Sequence, residues 1–272
     1  MKKLLLIMLA LVSVSIIQAQ EDSDTLVKSR PDTAFMAQTL PTVFTLNAGD
    51  SAYAKGEYLT AAEIYEGVLR TKGKSAELYY NMGNAYYKAG DIAHAILNYE
   101  RSLTLNPGDK DARFNLLMAQ SKMVDKVGGD NTFFLVSWLN SLYSTMKADA
   151  WALLAVIFFI LFIVSLSFYI FSRRMLFKKS GFAVAIVSLV LVIVCNMAAS
   201  HLEGLIVDRS RAIVMKPSVT VRSTPSETGP ELFILHEGRK VKITDNSMRE
   251  WKEIEIEDGN EGWVPVDAIE II

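Results

Sequence analysis

One cysteine, Cys195, and three histidines, His94, His201 and His236, are all the thiol and imidazole that 272 residues carry. A lone cysteine excludes a disulfide within the chain. The histidines fall in three separate regions with no cysteine or carboxylate at ligand spacing, so no metal site is expected. Charge of one sign is missing too: 28 Lys and Arg stand against 30 Asp and Glu, and the basic residues form no stripe of the kind nucleic acid needs. Absent as well are a glycine-rich phosphate loop, a His-Glu metal motif and a nucleophile elbow, and Ser, His and Asp form no triad. These absences argue against an enzyme and against a bound cofactor, and they leave binding.

What the chain has in excess is uninterrupted apolar sequence. From Ala150 to Phe171 it reads AWALLAVIFFILFIVSLSFYIF, and a second uncharged run extends from Gly181 to Ser200. About 20 apolar residues cross a hydrocarbon core of roughly 30 Å. Lipid offers no partners to bare backbone groups, so both runs must be helical. The reading is a two-helix transmembrane hairpin, with spans over 150–172 and 181–201. Arg173, Arg174, Lys178 and Lys179 place the joining turn, 173–180, in the cytoplasm. Both flanks then lie on the outer side of the inner membrane. The opening MKKLLLIMLALVSVSIIQAQ agrees, since Lys2, Lys3, an apolar core and Ala19 read as a secretory signal over 1–19; a retained anchor is the alternative. Residues 20–41 mix charge, Ser, Thr and Pro and read as a linker.

From Thr42 a repeat appears. Offset by 34 residues, Asn47 aligns with Asn81, Gly49 with Gly83, Gly56 with Gly90, Ala61 with Ala95, Tyr65 with Tyr99 and Leu69 with Leu103. Small residues at Gly83 and Ala95 suit a helix crossing, Tyr79, Met82, Tyr86 and Tyr99 fill the space around it, and Gly90 with Asp91 turns the chain and caps the next helix. Ala76 to Asp109 resembles the tetratricopeptide (TPR) repeat, and the array is expected over 42–127. A third first-helix, DKDARFNLLMAQSKMVDKV, has no second helix after it. Because solenoid units need neighbours, the array is expected to lean on the 131–147 segment, the membrane surface or a second chain. That segment places Leu135, Trp138, Leu139, Leu142 and Met146 on one helical face, which suits either an amphipathic interfacial helix or a packing helix that caps the array.

The 211–272 stretch switches to short alternating strands between turn residues, the pattern of a small all-β domain. VTVRSTPS, HEGRKVKI, Trp251 and GWVPVDAIE together are similar to bacterial SH3 (SH3b) domains, which implies a small SH3-like barrel. Trp251 and Trp263 are read as structural residues of that barrel. Glu253, Glu255 and Glu257 alternate onto one solvated strand face.

First-helix positions of TPR arrays line a concave groove. Asn47, Asn81 and Asn115 recur at one such position, with Asn84, Tyr87 and Lys88 nearby; they form a candidate peptide-binding groove, since amides both donate and accept. The alternative is that these asparagines hold one repeat to the next. Leu46 and Asp50 stand where carboxylate-clamp repeats carry cations, which argues against terminal-carboxylate capture. The order of signal, TPR repeats, membrane hairpin and SH3b domain resembles the BatE-type proteins of the aerotolerance (Bat) operons. That resemblance implies a periplasmic scaffold working with von Willebrand A-domain membrane proteins in oxidative or envelope stress. A cell-wall adaptor, with SH3b on peptidoglycan and TPR recruiting a hydrolase, is the competing expectation.

Overall fold

The computed structural model describes residues 44–125 and 134–272, and for 134–137 the backbone alone. The signal and linker readings over 1–19 and 20–41, the first residues of the 42–127 array and the side chain of Leu135 lie outside the described residues.

The repeats form the helices α1 (Leu46–Ala54), α2 (Tyr58–Lys72), α3 (Ala76–Ala89), α4 (Ile92–Leu105) and α5 (Lys110–Gln120). Thr45, Ser75, Asp91 and Asp109 sit at N-caps and accept backbone N–H groups that the first turn would otherwise leave bare. Gly90 closes α3 in the left-handed region, φ 88°, where a side chain would be strained. Within each repeat a glycine on the first helix faces a tyrosine on the second. A Cβ on Gly49 would lie 2.3 Å from the Tyr65 ring, and one on Gly83 2.6 Å from the Tyr99 ring. Ala61, Ala62, Ala85 and Ala95 are fully buried along the same crossings.

Next come α6 (Phe134–Tyr143), α7 (Ala148–Phe171) and α8 (Met175–Val207). The last two are long and apolar enough to cross a membrane by length and composition. They cross closely at Gly181, where a Cβ would meet the Ser165 carbonyl oxygen at 2.9 Å and the Tyr169 nitrogen at 3.0 Å. Ala155, Ser165, Ala185, Ser188, Cys195 and Ala198 are buried in the described chain, the small residues such an approach requires. The corner is tighter than the 173–180 turn expected from the charges, because the helix already begins at Met175 and Lys178 and Lys179 ride on its first turns. Its far end also runs past residue 201, to Val207, and only Asp208, Arg209 and Ser210 separate it from the first strand.

The sheet comprises β1 (Arg211–Val214), β2 (Ser218–Arg222), β3 (Glu231–His236), β4 (Lys240–Asp245), β5 (Trp251–Glu255), β6 (Glu261–Pro265) and β7 (Ile269–Ile271). Its order, β3-β2-β6-β5-β4-β1-β7, is antiparallel at every pairing and open between β3 and β7. Alternation sends Ala212, Val214, Val219, Val221, Leu235, Val241, Ile243, Ile254 and Val264 into one buried cluster. Trp251 and Trp263 are half-buried outside it. The glutamates expected on a solvated face also make exposed cross-strand bonds: Lys242 Nζ donates to Glu255 at 2.9 Å and Thr244 Oγ1 to Glu253 at 3.2 Å.

The open end of the helical array is covered by β1. Ile213 is fully buried among Ile96, Leu97, Tyr99, Leu116 and Ala119, with Met123, Met215 and Ile272 around them. The second helix that α5 lacks is thus replaced by a strand, a neighbour not expected from the sequence. The 131–147 segment packs elsewhere: Leu142 and Tyr143 of α6 join Trp151 and Leu202, and the Trp151 Nε1–H donates to the Tyr143 carbonyl at 3.0 Å. Trp138 is exposed.

Candidate protein-interaction face

Tyr80, Asn84 and Tyr87 lie at i, i+4 and i+7 on α3, so they share one helix face. Asn115 on α5 comes against them. The Asn115 Nδ2–H donates to Asn84 Oδ1 at 2.8 Å and to the Tyr80 hydroxyl at 3.3 Å. The Tyr99 hydroxyl donates to that same Asn84 oxygen at 2.8 Å. One repeat earlier the Tyr65 hydroxyl donates to Asp50 Oδ1 at 2.7 Å, so the same bond recurs between equivalent positions. Burial pushes both phenols up, Asp50 adding to the effect on Tyr65, and both hydroxyls stay protonated donors.

Of the expected groove residues, Asn84, Asn115 and Tyr87 come together. Lys88 is exposed in the last turn of the same helix. Asn47 is exposed and Asn81 half-buried, both outside the hydrogen-bonded network. Two components went unread in the sequence. Lys122 Nζ stands 4.1 Å over the Tyr87 ring, a cation–π contact that holds a positive charge on the face. Beside it Phe114, Leu117 and Met118 are exposed on α5. The 34-residue offset also aligns Asp50 with Asn84, and that pairing was the available signal for the tyrosine bonds. The face therefore offers tyrosine rings, an apolar strip, two lysines and amide groups, a surface that takes an extended polypeptide.

At the opposite side of α4, ion pairs fasten the array to the sheet. Arg101 Nη2 donates to Glu270 at 2.9 Å and to the Ile271 carbonyl, and Lys240 Nζ donates to Glu100 at 2.8 Å. Asp125 takes both the backbone N–H and the ring Nδ1 of His236, at 2.8 and 2.7 Å. Near these contacts His94 bonds its capping residue Asp91 at 2.7 Å and stacks on Tyr86. The Asp91 bond raises the imidazole above its ordinary value although burial works against it. Burial likewise pushes Asp91 up, but its two bonds from His94 outweigh that and leave the carboxyl low.

A family model described as "Tetratricopeptide repeat" matches residues 76–109. Two curated relatives, both "Tetratricopeptide repeat protein 16", one from Macaca fascicularis and one from Homo sapiens, are each 30% identical over 71 residues. Those residues are 26% of this chain and 8% of each relative, so the chain spans only a small part of the relatives it matches. The likeness is to their repeats, and it makes the helical array a protein-interaction module.

Proposed function

We propose that the chain is a membrane-anchored scaffold, without enzymatic activity of its own, that holds other proteins on its repeat face and its sheet. The observation that carries this reading is a TPR-type array joined to two apolar helices that the protein leaves bare. Only 11% and 22% of their most apolar stretches are buried within the chain, and so much exposed apolar helix belongs in lipid. Two crossings return the polypeptide to the side it left. Contact between α4 and β7 supports this, since Arg101 and Glu270 flank the hairpin in sequence and pair in space. Arg173, Arg174, Lys178 and Lys179 at the α7–α8 corner favour the cytoplasm for that end. The folded parts then occupy the periplasmic side of the inner membrane.

The reading of 211–272 as an SH3b barrel is supported by its strand sequence, its single core and the 3-10 turn Val266–Ala268 before β7. By resemblance to the BatE-type proteins, the partners are von Willebrand A-domain membrane proteins in a Bat envelope complex. Crosslinking in native membranes, detergent extraction and capture of the full chain tests this. A second membrane protein is expected in the capture, and its recovery is expected to fall with the paired substitution Tyr87→Ala and Lys88→Glu on the exposed face. Capture of the chain alone would refute the scaffold. Peptidoglycan is the rival partner for the sheet, and failure of the full chain to sediment with sacculi is the expected outcome.

A further inference from the structure

We propose that the cleft where the repeats, α6, the outer end of α8 and the sheet converge binds a phosphate group, carried by an anionic lipid or by a soluble phosphate. The lipid source rests on the membrane reading above; the anion chemistry does not. The cleft encloses about 600 Å³. Arg113 reaches it from α5, Arg211 from β1 and Lys240 from β4, with the His201 imidazole from α8. Glu100 is the one carboxylate among the lining residues, and Lys240 already pairs with it. Arg113 and Arg211 form no ion pair among the described residues, although the Asp208 carboxylate is near enough to Arg211 to feel its charge.

Arg211 points most directly to a ligand. Its Nη2 donates to the Leu205 carbonyl at 2.7 Å, capping the end of α8, while its Nε–H is buried without a partner. Proteins rarely leave a buried charged donor unmet, and the arginine fork matches phosphate oxygens. The position suits a headgroup. Trp151 and Tyr143, joined by their hydrogen bond, mark the level where α7 begins and α8 nears its end, and His201 lies against the Tyr143 ring with centroids 5.5 Å apart. Leu202 and Leu205 carry the apolar surface of α8 up into the cleft, so that acyl chains run down the helix while the phosphate meets the arginines.

The test uses the full chain reconstituted in vesicles of phosphatidylcholine and phosphatidylglycerol, re-extracted in mild detergent, with the retained lipid quantified. Phosphatidylglycerol is expected to be retained over phosphatidylcholine by about tenfold. The substitutions R113Q and R211Q are each expected to remove most of that preference, about a tenfold loss. Arg113 is exposed, so R113Q keeps the test valid if R211Q disturbs the end of α8. A rise in Tm with inorganic phosphate in pure phosphatidylcholine vesicles, lost in the variants, assigns the site to a soluble phosphate. Equal retention of both lipids together with no response to phosphate overturns the proposal. Flotation of the chain with phosphatidylcholine vesicles after alkaline extraction reads the membrane anchor separately. A chain that does not float loses the lipid source, and the phosphate response in detergent then decides the site.

Discussion

The hydroxyls of Tyr65 and Tyr99 make the same bond one repeat apart, each on a ring that leaves no room for a side chain on the facing glycine. The substitution Gly83→Ala should therefore force the Tyr99 ring or α3 to move and cost about 1–3 kcal/mol, read as a lower Tm of the full chain in detergent. Tyr99→Phe should cost nearer 1 kcal/mol, because Asn84 keeps the Asn115 amide as a donor. If both variants melt like the parent, the tyrosine–glycine crossing is not what holds the repeat. His94 supplies a pH dependence. Its value in the fold is raised by Asp91, so its contribution is complete below the ordinary 6.5 and is lost as pH climbs through the raised value. Asp91 is depressed below 3.8, and its contribution is present above that value and lost as pH falls through the depressed one. The stability gap between the parent and His94→Gln should be widest in mild acid, below 6.5, and close in alkaline buffer. A gap that widens with rising pH contradicts this assignment.

Among the elements, the α7–α8 pair depends on small residues at its crossing, and Gly181 meets backbone rather than a movable side chain. Gly181→Leu should push the helices apart and lower the detergent or denaturant concentration at which the pair separates. Unchanged resistance would mean that the crossing is loose. Strand β1 carries a different load, with both of its faces buried. Ala212 and Val214 point into the sheet's core while Ile213 points into the helical array. Ile213→Asp should place an unpaired charge between α4 and α5 and destabilise the array by about 3 kcal/mol or more. Faster amide exchange in 110–120 than in the sheet is the expected signature. Much of this was legible beforehand. The 34-residue offset located the repeats, the charge-free runs located both apolar helices, and alternation located the strands. The cover on α5 was not read, because an apolar RAIVM run is equally consistent with a strand buried in its own sheet. Nor was the early start of α8 at Met175: Lys178 and Lys179 read as a turn, yet long cationic side chains at a helix end can reach back to the interface.

For the molecule as a whole, the parts divide differently in space than along the chain. The array and the sheet are separated by the hairpin in sequence and fastened together by Arg101–Glu270, Lys240–Glu100 and His236–Asp125. Such long-range pairs leave no periodic trace, so the candidate site's surroundings were less legible than its tyrosines and asparagines. The arrangement joins the array and the sheet into one body beside two apolar helices, with tyrosines and amides on one face and a cationic cleft at another. A thiol crosslink tests that body most directly. With Cys195→Ala as background, cysteines are placed at Asp125 and His236, and a short membrane-impermeant bifunctional reagent is added to sealed vesicles of known orientation. Crosslinking from the outer side alone is expected, with both halves equally open to protease there. Modification of the two cysteines from opposite sides of the membrane would contradict the account.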